Sequence, residues 1–198
     1  MTKPKQQQNL SQSRDGGYTI IESLVAMIVV SVLMIAIAPV MAFSVATRVQ
    51  ARRVELATQA ARTYIDALRS GAIKPTDGEF PPADTAAIPA APTSVNNLYC
   101  VDLDENSGCT GNKDFRVQGV RQSVSANNLD AKKAGYGLTV RVYRADATGT
   151  LTTTGQSIVG SGLGNPNAPL VVMSTEIPPA PEGGASAYRS LFDRTKKP

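Results

Sequence analysis

The chain has one long stretch without any charge, from Leu24 to Ala46, in a sequence that otherwise mixes polar and apolar residues. These 23 residues would cover about 35 Å as an α-helix, which rises about 1.5 Å per residue. The hydrocarbon core of a bilayer is about 30 Å thick. The pattern therefore predicts a membrane-spanning helix, to which we assign residues 18–46.

The apolar pattern changes after this stretch but keeps a helical spacing. Between Thr47 and Ser70, apolar residues recur on one broad face, and charged or amide residues occupy much of the other. This pattern predicts an amphipathic helix that buries one side. Gly71 is a typical C-terminal stop and Pro75 follows it, so we predict one helix from Tyr18 to about Ser70.

Pro39 lies inside the predicted helix. Proline removes a backbone hydrogen bond and clashes with the preceding turn, so it kinks or locally melts a helix. Membrane helices also tolerate proline without a functional reason. We predict a long, kinked N-terminal helix in which residues 47–71 extend the membrane span as an amphipathic segment.

Residues 72–198 have a different character, with several prolines before any regular pattern. Period-two alternation and turn residues predict strands over residues 115–118, 138–143 and 170–177 and a hairpin with arms at 150–154 and 157–159. Antiparallel strands packed on the distal half of the helix would bury its apolar stripe. The predicted fold class is α+β, a long kinked helix on a small antiparallel sheet. We expect a mobile basic tail from Tyr188 onward.

The composition narrows the function classes. The chain has 198 residues, a net charge of +4 and no histidine. Without histidine, Ser-His-Asp and Cys-His catalysis and the commonest metal ligand are excluded, and no nucleophile or phosphate-loop motif is present. The sequence contains no dense Lys/Arg patch with interleaved aromatic residues, so nothing in it argues for nucleic-acid binding. We predict a non-enzymatic protein without a cofactor.

The junction before the apolar stretch is specific. Residues 1–17 are polar and basic, and the apolar region follows Gly17 rather than preceding a cut site as in a secretory signal. Glu22 is a lone carboxylate near the start of this apolar segment. An unpaired charge in a bilayer costs several kcal/mol, so such a residue usually has a partner and a function.

A basic leader, Gly17 at the junction, the aromatic Tyr18 next and Glu22 five residues in from the junction together resemble a type IV prepilin or pseudopilin. The resemblance implies that prepilin peptidase cleaves the Gly17–Tyr18 bond and that the new amine of Tyr18 is N-methylated. The usual first mature residue is Phe, so Tyr18 is a conservative departure. The resemblance also implies that Glu22 pairs with the N-terminal amine of a neighbouring subunit, whereas the simpler alternative is a side chain that snorkels to the headgroups.

Pro39 fits the same resemblance, because type IV pilins often carry a proline 21 residues after the first mature residue, Tyr18 here. The implied organisation is a cleaved leader (1–17), a transmembrane assembly helix (18–46), its amphipathic extension (47–71) and an extracytoplasmic head with a C-terminal tail (72–198). The implied function is structural, as a minor pilin or pseudopilin in a type IV pilus-like or type II secretion-like assembly. The implied partners are prepilin peptidase, other pilin subunits and an inner-membrane platform protein.

The resemblance places the chain in the inner (cytoplasmic) membrane as a single-pass protein, with a cytoplasmic N-terminus before processing and a periplasmic or extracellular head. Basic residues tend to remain in the cytoplasm. The leader residues Lys3, Lys5 and Arg14 agree with this orientation, and the arginines that follow the span argue the other way: Arg48, Arg52 and Arg53.

The stretch from Ile21 to Gly71, including SVATRVQARRVELATQAARTYIDALRSG, further resembles cyanobacterial hormogonium polysaccharide secretion pseudopilins. This closer resemblance implies a part in polysaccharide secretion and gliding motility. The competing interpretation is a membrane-anchored periplasmic binding domain whose helix serves only as a tether.

Two further features lie in the head. Cys100 and Cys109 are natural disulfide partners if the head lies outside the cytoplasm, and two unpaired thiols are the alternative. Between them, Asp102, Asp104 and Asn106 form a weak calcium candidate with alternating oxygen ligands. The run lacks the glycine expected at the sixth place, and a lysine stands where a bidentate Glu is expected. We therefore favour a solvated acidic turn.

Overall fold

The computed structural model of the protein describes residues 19–86, 88–103, 108–109, 111, 113–122, 127–155 and 164–196. The elements in these residues follow in the order α1 (Ile20–Ser70), β1 (Ala83–Asp84), β2 (Tyr99–Val101), β3 (Phe115–Gln122), α2 (Asn128–Ala134), β4 (Tyr136–Arg144), β5 (Val171–Ile177), a 3-10 turn (Pro181–Gly183) and α3 (Gly184–Thr195). The chain divides into two compact units, the first ending at Ser44 and the second beginning at Val45.

The long helix is confirmed, since α1 runs for 51 residues. It ends at Ser70, and the next residue, Gly71, has a φ of 77°, a left-handed conformation that favours glycine. The Gly71 N–H donates to the Leu68 carbonyl at 3.3 Å, and the Ile73 N–H donates to the Ala67 carbonyl at 3.2 Å. The helix continues through Pro39, and the kink expected there remains a prediction.

The first unit exposes nearly all of its apolar surface. Every Val, Ile, Leu, Met and Phe side chain from Ile20 to Phe43 is at least 51% exposed, and the helix is long and apolar enough to cross a membrane. The Ser31 hydroxyl donates to the Met27 carbonyl at 2.7 Å, so its hydrogen bond is made within the helix. This surface is suited to lipid or to other apolar helices rather than to water.

The second unit is built on a five-stranded sheet in the order β1-β3-β4-β5, with β2 also paired to β3. Strands β2, β3, β4 and β5 pair antiparallel, and β1 pairs parallel to β3. The predicted α+β class is therefore confirmed, and the sheet is mixed rather than purely antiparallel. A parallel pair needs a long crossover connection, and residues 85–114 provide it between β1 and β3.

One face of the sheet is covered by the distal half of α1. The helix buries six residues, Ala57, Ala60, Ala61, Tyr64, Ile65 and Leu68. They belong to one core cluster with the inward-facing side chains of the central strands, including Val117, Leu138, Val140 and Val142. The small alanines on this stripe let the helix backbone lie close to the strands, so the amphipathic pattern of α1 is the main source of the core.

The opposite face of the central strands is also covered. Tyr143 on β4 forms a second cluster with Val95, Ala147 and Leu151, and its hydroxyl donates to the Thr152 carbonyl at 2.8 Å. The prediction of a half-buried β4 was therefore wrong, because seven of its nine residues are buried. The proline-rich segment (residues 75–98) and residues 145–151 after β4 supply this outer cover.

Three arginines on β3 and β4 donate to backbone carbonyls of the proline-rich segment. Arg141 is 2% exposed and donates to the carbonyls of Pro89 at 2.9 Å and Ala90 at 3.3 Å. Arg116 donates to the Leu98 carbonyl at 3.2 Å. Such charge-assisted bonds are stronger than neutral ones, so they fix the course of a segment that forms almost no regular structure.

Arg121 is the third of these residues and faces the helix side of the sheet. It is 1% exposed and donates to the Pro81 carbonyl at 3.3 Å and to Asn128 Oδ1 at 2.6 Å. Its guanidinium carbon also lies 5.5 Å from the centre of the Phe80 ring. Burial lowers the pKa of Arg121, and these partners compensate for the desolvation of its charge.

The remaining strand predictions had mixed outcomes. Strands at 115–118, 138–143 and 170–177 correspond to β3, β4 and β5, of which β3 extends four residues further. Residues 150–154 form no strand, since Thr152 instead bonds through its N–H to the Asn167 carbonyl at 3.0 Å. The second hairpin arm, 157–159, lies outside the described residues.

The predicted C-terminal tail is largely helical. The chain from Gly184 to Thr195 forms α3, a helix that the sequence analysis did not predict, and the mobility of the tail from Tyr188 remains a prediction. Ala187 is buried, and the Tyr188 hydroxyl donates to the Pro179 carbonyl at 3.4 Å. These contacts supply the tertiary packing that a short helix needs for stability.

The second unit is expected to lose stability steeply at alkaline pH. Burial raises the pKa of Tyr136 and Tyr143 to about 12, and it also raises the pKa of Tyr64. Tyrosine titrates near pH 10 when unfolded, so this contribution is fully present below about pH 10 and is lost as the pH rises through about 12. Between these pH values, each buried tyrosine that keeps its proton in the folded state lowers the free energy of unfolding by about 1.4 kcal/mol per pH unit.

Urea unfolding of the full chain in detergent between about pH 9 and about pH 12 measures this slope. The variant Tyr136→Phe removes one titrating group and should reduce the slope by one proton. Near-ultraviolet absorbance reports the ionisation of the tyrosines. If all three buried tyrosines ionised near pH 10 while the fold was retained, the prediction would be contradicted.

Candidate functional site

The start of α1 is set by a side-chain cap. Thr19 is the first described residue, and its hydroxyl oxygen accepts the Glu22 N–H at 3.2 Å. The first four N–H groups of a helix have no partner within the helix, and a Thr at the N-cap satisfies one of them. The helix therefore begins at Ile20 for a local reason that lies in the sequence.

Glu22 occupies the third position of this first turn and is exposed in the single chain. A carboxylate there interacts favourably with the positive end of the helix dipole. All large apolar neighbours on the following turns are exposed as well. In a bilayer or among packed helices, Glu22 would be the one acidic group of an apolar surface, so it is available to pair with a cation from another molecule.

Thr19 was missed by the sequence analysis, although a signal was present. Thr19-Ile20-Ile21-Glu22 has the S/T-x-x-E/Q spacing of a capping box, which marks helix N-termini. Gly17 and Tyr18 lie outside the described residues, so their predicted cleavage and methylation remain predictions. The Thr19 cap sets the start of the helix at Ile20, so the predicted scissile bond precedes the helix in the sequence.

The two cysteines are joined by a disulfide in the head, with their Cα atoms 5.8 Å apart. Cys100 lies on β2, and Cys109 is buried in the loop that follows. The Cys109 carbonyl accepts a hydrogen bond from the Arg116 guanidinium at 3.0 Å. The crosslink thus closes the loop between β2 and β3, and Arg116 holds its far end against the sheet.

A buried carboxylate organises the same loop and was not singled out by the sequence analysis. Asp114 is 1% exposed. It accepts hydrogen bonds from the N–H groups of Gly111 at 2.9 Å and Leu103 at 3.3 Å. Its role is structural, because backbone donors occupy both carboxylate oxygens. No motif in the sequence marks this residue.

The calcium candidate is only partly within the described residues. Asp102 is exposed in the loop, whereas Asp104 and Asn106 lie outside the described part of the chain. Among the residues that the structure describes, no group of three or more acidic or cysteine side chains is placed to hold a metal ion. Calcium binding by this loop remains a prediction.

Comparison with known protein families identifies the N-terminal segment. Residues 12–38 match the family model described as the prokaryotic N-terminal methylation motif. The match includes Gly17, Tyr18 and Glu22 and ends one residue before Pro39. Comparison with curated proteins and with solved structures gives no significant match.

The matched motif agrees with the geometry of the helix start and supports a type IV pilin-like protein. It implies processing by prepilin peptidase and assembly with other pilin subunits. Together with the apolar first unit, it indicates a single-pass anchor in the inner membrane. The motif also indicates a structural protein.

Proposed function

We propose that this chain is a minor pilin or pseudopilin subunit of a type IV pilus-like or type II secretion-like assembly. The observation that carries the proposal is Glu22, a lone carboxylate in the first turn of a helix whose apolar side chains are all exposed over two dozen residues. Such a surface gains stability when lipid or other helices cover it, and the carboxylate gains stability from a cation.

In this proposal, the leader of residues 1–17 is removed and the mature chain begins at Tyr18. Residues 18–46 form the transmembrane assembly helix, residues 47–71 its extension, and residues 72–198 the head. The N-terminus is cytoplasmic before processing and the head is periplasmic or extracellular. An inner-membrane platform protein is a further proposed partner.

Mass spectrometry of the protein purified from its native membrane tests this proposal. We expect a mature N-terminus at Tyr18 whose amine carries one methyl group. The small Gly17 before the bond suits cleavage, so a Gly17→Trp variant should remain at full length, whereas Gly16→Ala serves as the matched control. An intact Met1 end in the wild-type protein would favour a simple tether over an assembling subunit.

We further propose that the assembly supports polysaccharide secretion and gliding motility. The support for this finer role is the resemblance of residues 21–71, which include the extension of the assembly helix, to pseudopilins of cyanobacterial polysaccharide secretion. Cells that carry a non-assembling variant should then export less polysaccharide. Unchanged export would argue against this role without affecting the assembly proposal.

A further inference from the structure

One edge of strand β3 contains a gap in the sheet. On this edge β2 pairs with residues 115–117, and β1 pairs with residues 121–122. In the part of the chain that the structure describes, no strand pairs on this edge with residues 118–120. The two short strands therefore stand on either side of an opening three residues wide.

The backbone of Gly119 faces this gap. The Arg121 N–H donates to the Pro82 carbonyl at 2.9 Å, so the polar backbone groups of Arg121 point to the β1 side. Every second residue of an antiparallel strand presents its N–H and C=O to the same edge. Gly119, two residues earlier, therefore presents one donor and one acceptor to the opening.

A cavity of about 360 Å³ opens at the gap. We call it the gap cavity, and its lining includes Tyr64, Thr93, Ser94, Asn97, Tyr99 and Gly119. Its volume lies within the range of about 300–1,000 Å³ that is typical of small-molecule sites. Thr93 and Asn97 at its mouth are exposed, so the cavity is accessible from solvent.

The lining of the gap cavity is nearly uncharged. Among the described residues that line it there is no lysine, arginine or aspartate, and Glu79, which is exposed, is the only acidic one. A phosphate or carboxylate ligand would find no cation there. Hydroxyl and amide side chains and the Gly119 backbone instead offer both donors and acceptors, which suits a ligand with several hydroxyl groups.

Two tyrosine rings form an apolar patch in the same lining. The ring centres of Tyr64 and Tyr99 are 5.1 Å apart, and Tyr99 is only partly buried. The Tyr64 hydroxyl donates to the Glu79 carbonyl at 2.9 Å, so its oxygen can still accept a hydrogen bond. An aromatic face beside neutral polar groups matches a sugar ring, which has C–H groups on its faces and hydroxyls at its edge.

We propose that the gap cavity binds one sugar unit of a neutral oligosaccharide. The sugar ring packs on Tyr99, and its hydroxyls pair with Asn97 and with the backbone of Gly119. This inference depends on the cavity alone and does not require the assembly or secretion roles. A larger groove of about 760 Å³ lies between residues 92–96 and 145–151. None of the described residues that line this groove is aromatic, so they do not provide the surface that a sugar face needs.

The test uses the full chain in nanodiscs of phosphocholine lipid, because detergents with sugar headgroups would compete. Isothermal titration calorimetry is carried out with neutral trisaccharides of glucose, galactose or mannose, with trigalacturonate as the anionic comparison and a chitosan trimer as the cationic one. We expect at least one neutral trisaccharide to bind and both charged probes to bind more weakly. Absence of neutral binding at millimolar concentration, or stronger binding of a charged probe, would overturn the proposal.

Two adjacent asparagines provide a matched control. Asn97 lines the gap cavity and Asn96 lines the larger groove, and both are exposed. Asn97→Ala should weaken neutral binding about tenfold through the loss of a hydrogen bond, whereas Asn96→Ala should leave it unchanged. Equal effects of the two variants would place the binding elsewhere and refute the site.

The aromatic contact is tested separately. Tyr99→Phe keeps the ring and should retain binding within about twofold, whereas Tyr99→Leu should weaken it about tenfold. Urea unfolding of both variants checks that the head is still folded. Full binding by folded Tyr99→Leu would contradict the proposed stacking.

Discussion

Replacing Glu22 by Ala is expected to abolish incorporation of the chain into filaments while leaving membrane insertion intact. The substitution removes one partner of the proposed ion pair with the N-terminal amine of a neighbouring subunit. Breaking a buried pair in this way costs about 3–5 kcal/mol, because the remaining charge stays buried and uncompensated. Crosslinking or shearing of filaments measures incorporation, and carbonate extraction measures insertion.

The helix cap provides the sharpest control for this prediction. Glu22 also sits at the third position of a first turn that Thr19 caps, so loss of assembly in the Ala variant could reflect a frayed helix. Gln is equally suited to a capping box but carries no charge. Glu22→Gln should therefore fail to assemble, and Glu22→Asp should assemble in part.

Glu55→Ala is the matched substitution of an exposed glutamate further along α1, and it should assemble normally. Normal incorporation of Glu22→Ala would refute the pairing role. Normal incorporation of Glu22→Gln would instead assign Glu22 to the capping of the helix.

Replacing Gly119 by Val is expected to destabilise the head by about 3 kcal/mol or more, near the upper end for overpacking in a core. A Cβ atom at this position would lie within 3 Å of the ring and hydroxyl of Tyr64. Tyr64 has little room to move, since it is 1% exposed and its hydroxyl is bonded to the Glu79 carbonyl. Urea-dependent pulse proteolysis of the full chain in detergent measures the free energy of unfolding.

Gly137 offers a comparison within the neighbouring strand. A Cβ atom there would meet its nearest neighbours at 3.5 Å, an ordinary contact distance, so Gly137→Ala should cost far less than Gly119→Ala. Tyr64→Leu shortens the colliding side chain, and its cost should not add to that of the Gly119 variant. Strict additivity would show that the collision with Tyr64 is not the cause.

Long periodic segments of this chain could be predicted from the sequence. The apolar and amphipathic patterns gave α1 nearly to the residue, and alternation located β4 and β5. The extension of β3 was missed because Gly119 and the charged Arg121 interrupt its pattern. Both residues are accommodated in the strand by tertiary contacts, because Tyr64 covers Gly119 and the Pro81 carbonyl accepts a hydrogen bond from Arg121.

Helix α2 was missed although its signals are local. Asn127 caps it by accepting the Leu129 N–H at 2.9 Å, and Gly135 follows its last residue with a φ of 71°. Strand β1 has only two residues, too few for any periodic pattern. Its pairing with β3 depends on how the proline-rich segment returns to the sheet, which no short-range signal records.

The candidate site likewise contains some residues that the sequence could predict and others that it could not. The position of Glu22 follows from the junction motif, and Thr19 could have been found from its spacing to Glu22. The gap cavity could not be predicted, because it depends on where two short strands stop along the same edge of β3. Similarly, nothing in the sequence distinguishes Asp114 from Asp102, which is exposed in the same loop.

The arginine contacts with the proline-rich segment have a consequence for sequence divergence. Arg116, Arg121 and Arg141 recognise main-chain oxygens, which every amino acid possesses, and proline itself supplies an acceptor although it has no N–H. Side chains along this segment can therefore be exchanged while its path is preserved. Homologous heads should keep these three arginines and vary freely along the proline-rich segment, so that one fold can present different outer surfaces.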